Sequence, residues 1–108
     1  MSEEVAAASF DECLDALGHV ERRRVLLGLL HDGADAGGVA FDRLDVAAAG
    51  GGLRPAMYHV HLPKLEQLGF VDTDRDRGSV TRGVRFDGIR PLLELLDDNR
   101  ERLPEPMA

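Results

Sequence analysis

Arg54, Met57, His59, His61 and Lys64 carry the chemistry of this chain. At helical spacing they lie off the apolar stripe of a single element. A guanidinium or ammonium meets phosphate oxygens or guanine, an imidazole meets a base edge or a phosphate, and an apolar tip meets a thymine methyl. The set therefore points to duplex DNA. The plainer reading is a solvated polar face, with Met57 at the core edge and His61 half-buried and bonded to a neighbouring hairpin. His59 and His61 do not make a metal pair, because two residues apart on a helix they diverge by about 200°. The single cysteine, Cys13, excludes an internal disulfide and any multi-cysteine metal site. It reads as a small buried hydrophobe. The glycine run at 50–52 lacks the Lys-Ser/Thr that would bind phosphate and magnesium, and no nucleophile, base and orienter fall together. No enzyme, no cofactor and no metal are expected.

These residues need a helix to hold them. On the opposite face Tyr58, Leu62, Leu65 and Leu68 repeat at four, three and three, the apolar stripe of a helix that starts at Pro55. Pro63 falls inside it. A proline there costs about 3 kcal/mol and removes the hydrogen bond to the carbonyl of His59. A bend or a loosened turn is expected, without a break, because the stripe continues in phase. Gly69 stops the helix. Phe70–Thr73 and Val80–Phe86 read as strands joined by a polar loop over 74–79, a hairpin. Arg75, Arg77 and Arg82 on the hairpin are candidate DNA-backbone contacts. Asp72, Asp74 and Asp76 interleave with them, and the alternative is an exposed turn with local ion pairs worth ~0–1 kcal/mol each.

Upstream, residues 1–8 are small and acidic and are expected to be disordered. Ser9 and Glu12 form a capping box for a helix ending near Leu17. A second helix spans Val20–His31, with Val25, Leu26, Leu29 and Leu30 inward and Glu21–Arg24 wet, or Arg22–Arg24 lying along DNA phosphates. Residues 33–40 read as a loop, and Phe41–Ala49 as a short third helix with Asp42 as cap and Leu44, Val46 and Ala47 or Ala48 as contacts. Downstream, Ile89–Arg102 reads as a helix ended by Pro104 and Pro106. The expected fold is mainly α with a small β-hairpin: a winged helix-turn-helix with a three-helix core, a β wing and a C-terminal helix, one domain over 9–103 with a tail at 104–108. Phe10, Leu14 and Leu17 with Ile89, Leu92, Leu93 and Leu96 exceed what so small a core absorbs, so a two-fold dimer surface is expected there.

Composition limits the partners. The 108 residues hold 20 acids and 13 bases, a net of −7, and 12 of the 13 bases are arginine. Arginine-for-lysine with abundant aspartate resembles proteins of salt-loving archaea, and GC-rich coding has the same effect. Residues 54–85 hold six bases and four acids, a balance of +2, while both flanks are negative. The one positive stretch is thus the polar helix and its hairpin. No apolar run approaches the ~20 residues of a membrane span, and no signal peptide opens the chain, so a cytoplasmic protein is expected.

Two strings resemble a known family. Leu17-Gly-His-Val-Glu-Arg-Arg-Arg-Val-Leu-Leu-Gly-Leu-Leu30 is similar to the opening of ArsR-type winged-helix regulators. Val60-His-Leu-Pro-Lys-Leu-Glu-Gln-Leu-Gly-Phe-Val71 is similar to the end of their recognition helix. The variant His59-Val-His-Leu-Pro-Lys-Leu65 resembles a haloarchaeal group of winged-helix proteins. The resemblance spans roughly residues 10–100. It implies a homodimeric DNA-binding regulator whose recognition helix enters the major groove. The start of that helix departs from the family, being Arg54-Pro-Ala-Met57 in place of a Ser/Thr/Gln-rich segment. The preceding loop is longer and glycine-rich. The paired metal-binding cysteines are missing, so metal sensing does not carry over. The alternative function is a protein-interaction module that uses the same helix and hairpin without nucleic acid.

Overall fold

A computed structural model describes residues 7–33, 38–44, 48–49 and 52–108. Helix α1 spans Phe10–Leu17, and it begins where Ser9 Oγ accepts from the Glu12 N–H while Glu12 Oε1 accepts from the Ser9 N–H, both at 3.0 Å. Helix α2 spans Val20–Asp32. A two-residue strand, β1 (Val39–Ala40), then runs into a 3-10 turn, Phe41–Leu44. A π-helical turn, Met57–His61, continues directly into α3, Leu62–Gln67. Strands β2 (Val71–Asp74) and β3 (Ser79–Arg82) follow, then α4 (Phe86–Asp98) and a 3-10 turn, Arg100–Arg102. The sheet is antiparallel in the order β1-β3-β2, with Val39 opposite Val80 and Thr73 opposite Val80 from the other side.

Several elements differ from the sequence expectation. The 33–40 loop contains β1. The expected helix at Phe41–Ala49 is a 3-10 turn over its first four residues, and 45–47, with the contact Val46, lie outside the described residues. Gly50 and Gly51 also lie outside them, as do residues 1–6. The second strand ends at Arg82, and Phe86 opens α4 instead of closing β3. Phe86 is 1% exposed and joins Phe70, Leu26, Leu29, Leu62, Leu65, Ile89 and Leu93 in one core. The tail is not loose: Arg23 Nη2 donates to Pro106 O at 3.0 Å, and Met107 packs against the core.

The junction between α3 and the sheet depends on two glycines. Gly69 holds φ +81, a left-handed conformation that ends the helix without a Cβ penalty. Gly83 sits so close to Gly69 that a Cβ on it would lie 2.4 Å from the Gly69 carbonyl oxygen. Gly83 N–H donates to Phe70 O at 2.9 Å and Arg85 N–H to Gly69 O at 2.8 Å, which locks the hairpin's exit against the end of α3.

Candidate nucleic-acid interface

The helix over residues 55–67 departs from a regular α-helix at one place. Pro63 has no N–H to give the His59 carbonyl. One residue earlier, the Leu62 N–H donates to Met57 O, an i to i−5 bond, so the turn before the proline is wider by one residue. The apolar stripe therefore steps back from Leu62 to Met57 and not to Tyr58. Met57 and Leu62 are 0% exposed, while Tyr58 and Val60 are 47% and 52% exposed. Two expectations are corrected by this shift. Met57 belongs to the core and offers nothing to a groove, and Tyr58 stands outside the core. The loosened turn expected at Pro63 is the π turn ahead of it.

His61 is also inside, at 5% exposed. It makes no hairpin contact of the kind expected. Arg22 Nη1 donates to its Nδ1 at 3.2 Å, and its ring lies 4.2 Å from that of His19. Because a guanidinium only donates, Nδ1 must be the acceptor and the imidazole neutral. Burial holds the His61 pKa below its ordinary value, and the neighbouring His19 and Arg22 act the same way. His19 is itself fixed, its Nδ1 accepting from the Glu21 N–H at 3.1 Å to cap α2.

Every cation of the expected DNA-facing set has a carboxylate or carbonyl nearby. Arg54 pairs with Glu21, and Lys64 Nζ lies 2.5 Å from Asp15 Oδ2. Arg75 sits 3.7 Å from Glu66 and stacks over the Tyr58 ring at 4.9 Å, which ties the hairpin loop to the helix. Thr73 Oγ1 donates to Glu66 Oε1 at 3.1 Å and strengthens that tie. Arg77 is exposed, 3.8 Å from Asp74. Arg82 does not face outward. Its Nε and Nη2 donate to the carbonyls of Leu29 and Leu30, both at 3.0 Å, closing the end of α2. His59 is exposed at the edge of a depression of about 410 Å³ that Asp15, Arg22, Val60, Pro63, Lys64 and Gln67 complete.

The arginines of α2 are not simply wet. Arg22 donates to Ala16 O and Asp15 O at 3.0 and 2.9 Å, and Arg23 donates to Leu17 O at 2.7 Å, so both satisfy the last carbonyls of α1. Arg85, unassigned from the sequence, donates to Leu68 O at 2.9 Å and to both Glu12 carboxylate oxygens, at 3.2 and 2.8 Å. The hydrogen bond from Arg85 holds the Glu12 pKa at about 2, and the Ser9 N–H adds to it. Arginine serves here because one planar fork reaches two acceptors at once, which an ammonium does not.

The expected dimer stripe divides in two. Leu17, Ile89 and Leu93 are buried within the protomer, whereas Phe10 and Leu14 are 67% and 50% exposed and Leu92 and Leu96 are half-buried. The latter four line an apolar groove of about 370 Å³ closed on one side by Leu103 and Met107. Among the described residues no helix is long and apolar enough to cross a membrane, and no group of three or more His, Cys, Asp or Glu side chains is placed to hold a metal ion. No family model, curated protein or solved structure matches the chain.

Proposed function

We propose that this chain is a sequence-specific, DNA-binding transcriptional regulator of the ArsR-like winged helix-turn-helix type, acting as a homodimer. The observation that carries the reading is a helix with one face seated on the core and the other exposed, tied by Arg75 to a β-hairpin beside it. Its order also supports the reading: two helices, a short strand, a 3-10 turn, the exposed helix, then a hairpin whose second strand pairs with the first. In this reading the helix enters the major groove, Lys64, Arg75 and Arg77 meet phosphates, and the Phe10–Leu14 face meets its two-fold copy. Promoter occupancy then excludes or recruits the transcription machinery. A protein-interaction module remains the second reading, favoured by the carboxylate partners of Arg54, Lys64, Arg75 and Arg77.

These pairs make a distinctive prediction. When a phosphate meets Lys64 the DNA gives up a condensed cation, but the freed Asp15 carboxylate takes one up, so the net release is smaller than for an unpaired lysine. Fluorescence anisotropy with a duplex from the region upstream of the chain's own coding sequence tests this across KCl concentrations. Lys64→Ala weakens binding by about tenfold, the size of one charge-assisted contact, and Asp15→Asn tightens it. The affinity of the unaltered protein falls only shallowly with salt. A duplex that never binds at any KCl concentration, with a protein co-purifying in its place, removes the DNA reading. Light scattering that finds a monomer at tens of micromolar removes the dimer.

A further inference from the structure

We infer that Val60 is a base-reading residue and that the site selects thymine through its C5-methyl group; the inference rests on the DNA-binding reading above. The π turn buries Met57 and His61 and leaves the three residues between them, Tyr58, His59 and Val60, exposed together. A regular α-helix in phase with Leu62 puts Tyr58 inward instead. Val60 is thus an aliphatic side chain, 52% exposed, at the middle of the outward face, where solvent gives it nothing to bind.

Its surroundings identify the occupant. Val60 borders the depression that His59 and Lys64 line, where Asp15 pairs with Lys64, and two residues before it Tyr58 carries Arg75 stacked on its ring at 4.9 Å. Cations flanking an apolar centre complement a major groove in which phosphate strands flank the thymine methyl, the groove's one apolar group. A pure phosphate-binding face has no use for a valine there. The π turn is held from behind by the Arg22–His61 hydrogen bond and the His19 ring, so the exposed triplet is presented on a fixed support.

Replacing thymine by deoxyuridine removes the methyl and nothing else from the base pair. We therefore compare, by anisotropy, the duplex from the chain's own upstream region with its deoxyuridine-substituted copy, using the unaltered protein and Val60→Ser. The unaltered protein loses about fourfold in affinity per contacted methyl. Val60→Ser binds the thymine duplex more weakly and does not distinguish the two. Any change in duplex shape caused by the missing methyls affects both proteins equally, so their difference isolates the Val60 contact. Equal binding of both duplexes by the unaltered protein, or equal discrimination by Val60→Ser, overturns the inference while leaving the DNA-binding reading intact. Failure to bind either duplex removes that reading and the inference with it.

Discussion

Met57→Ala lowers the unfolding free energy by about 2–5 kcal/mol, the cost of emptying a buried methionine site, whereas Tyr58→Ala costs less than about 1 kcal/mol. Met57 is fully buried against the core, and its truncation leaves a cavity under the turn that faces α2. Tyr58 is 47% exposed and loses only partial packing and its stack with Arg75. Chemical denaturation of both variants measures the difference, with circular dichroism to confirm the folded baseline. The order of the two costs reports the helical register directly. A larger loss for Tyr58→Ala means the turn is α-helical and returns Met57 to the outer face.

That register is where sequence reasoning reached its limit. Periodicity located the helix and Gly69 located its end, because an apolar stripe and a left-handed glycine are local signals. Ser9 and Glu12 announced the start of α1 for the same reason. Pro63 marked the loosened turn, but its consequence lies upstream: one added residue in the turn rotates Tyr58 out and Met57 in by about 100°. Counting at fixed spacing across the proline gave the opposite face. Strand β1 left no trace, since two residues after a glycine-rich stretch have no alternation to detect, and only Ser79 and Val80 across the sheet define them. The end of β3 was misjudged because Val84 and Phe86 alternate as a strand does, while the close approach of Gly83 to Gly69 turns the chain into α4.

The arginines show a second limit. Arg22, Arg23, Arg82 and Arg85 look alike in a list of bases, yet each reaches carbonyls at a helix end six to more than fifty residues away along the chain. Nothing local reports such a partner. Arg82 leaves the DNA-facing set on this account, and Arg85 becomes the link between the start of α1 and the end of α3. The candidate face that remains is smaller and more apolar than the sequence suggested: Arg54, Tyr58, His59, Val60, Lys64, Arg75 and Arg77.

Acid weakens this support in two separate steps. His61 has a folded-state pKa below its ordinary value of 6.5, first because it is buried and then because His19 and Arg22 face it; Arg54 acts in the same direction, and Glu21 alone opposes. Above pH 6.5 the imidazole is neutral in both folded and unfolded chains, and its full contribution is present. As pH falls below 6.5 the unfolded chain takes up the proton first, so stability declines until the folded pKa is reached, by no more than about 1.4 kcal/mol per pH unit for one proton. The second step belongs to Glu12, whose carboxyl is held at about 2 by the Arg85 hydrogen bond, against an ordinary value of 4.5, together with Asp97, whose burial is outweighed by the Arg100 hydrogen bond and His31, so that it is also lowered. The Glu12 contribution is complete above 4.5 and is lost as pH falls from there towards 2. Urea denaturation at pH 7.5, 5.5 and 3.5 separates the two. The decline between 7.5 and 5.5 disappears in His61→Leu, in which Arg22 keeps its carbonyl partners, and the decline below 4.5 persists in that variant. An unchanged upper step in His61→Leu means that the buried imidazole does not carry it.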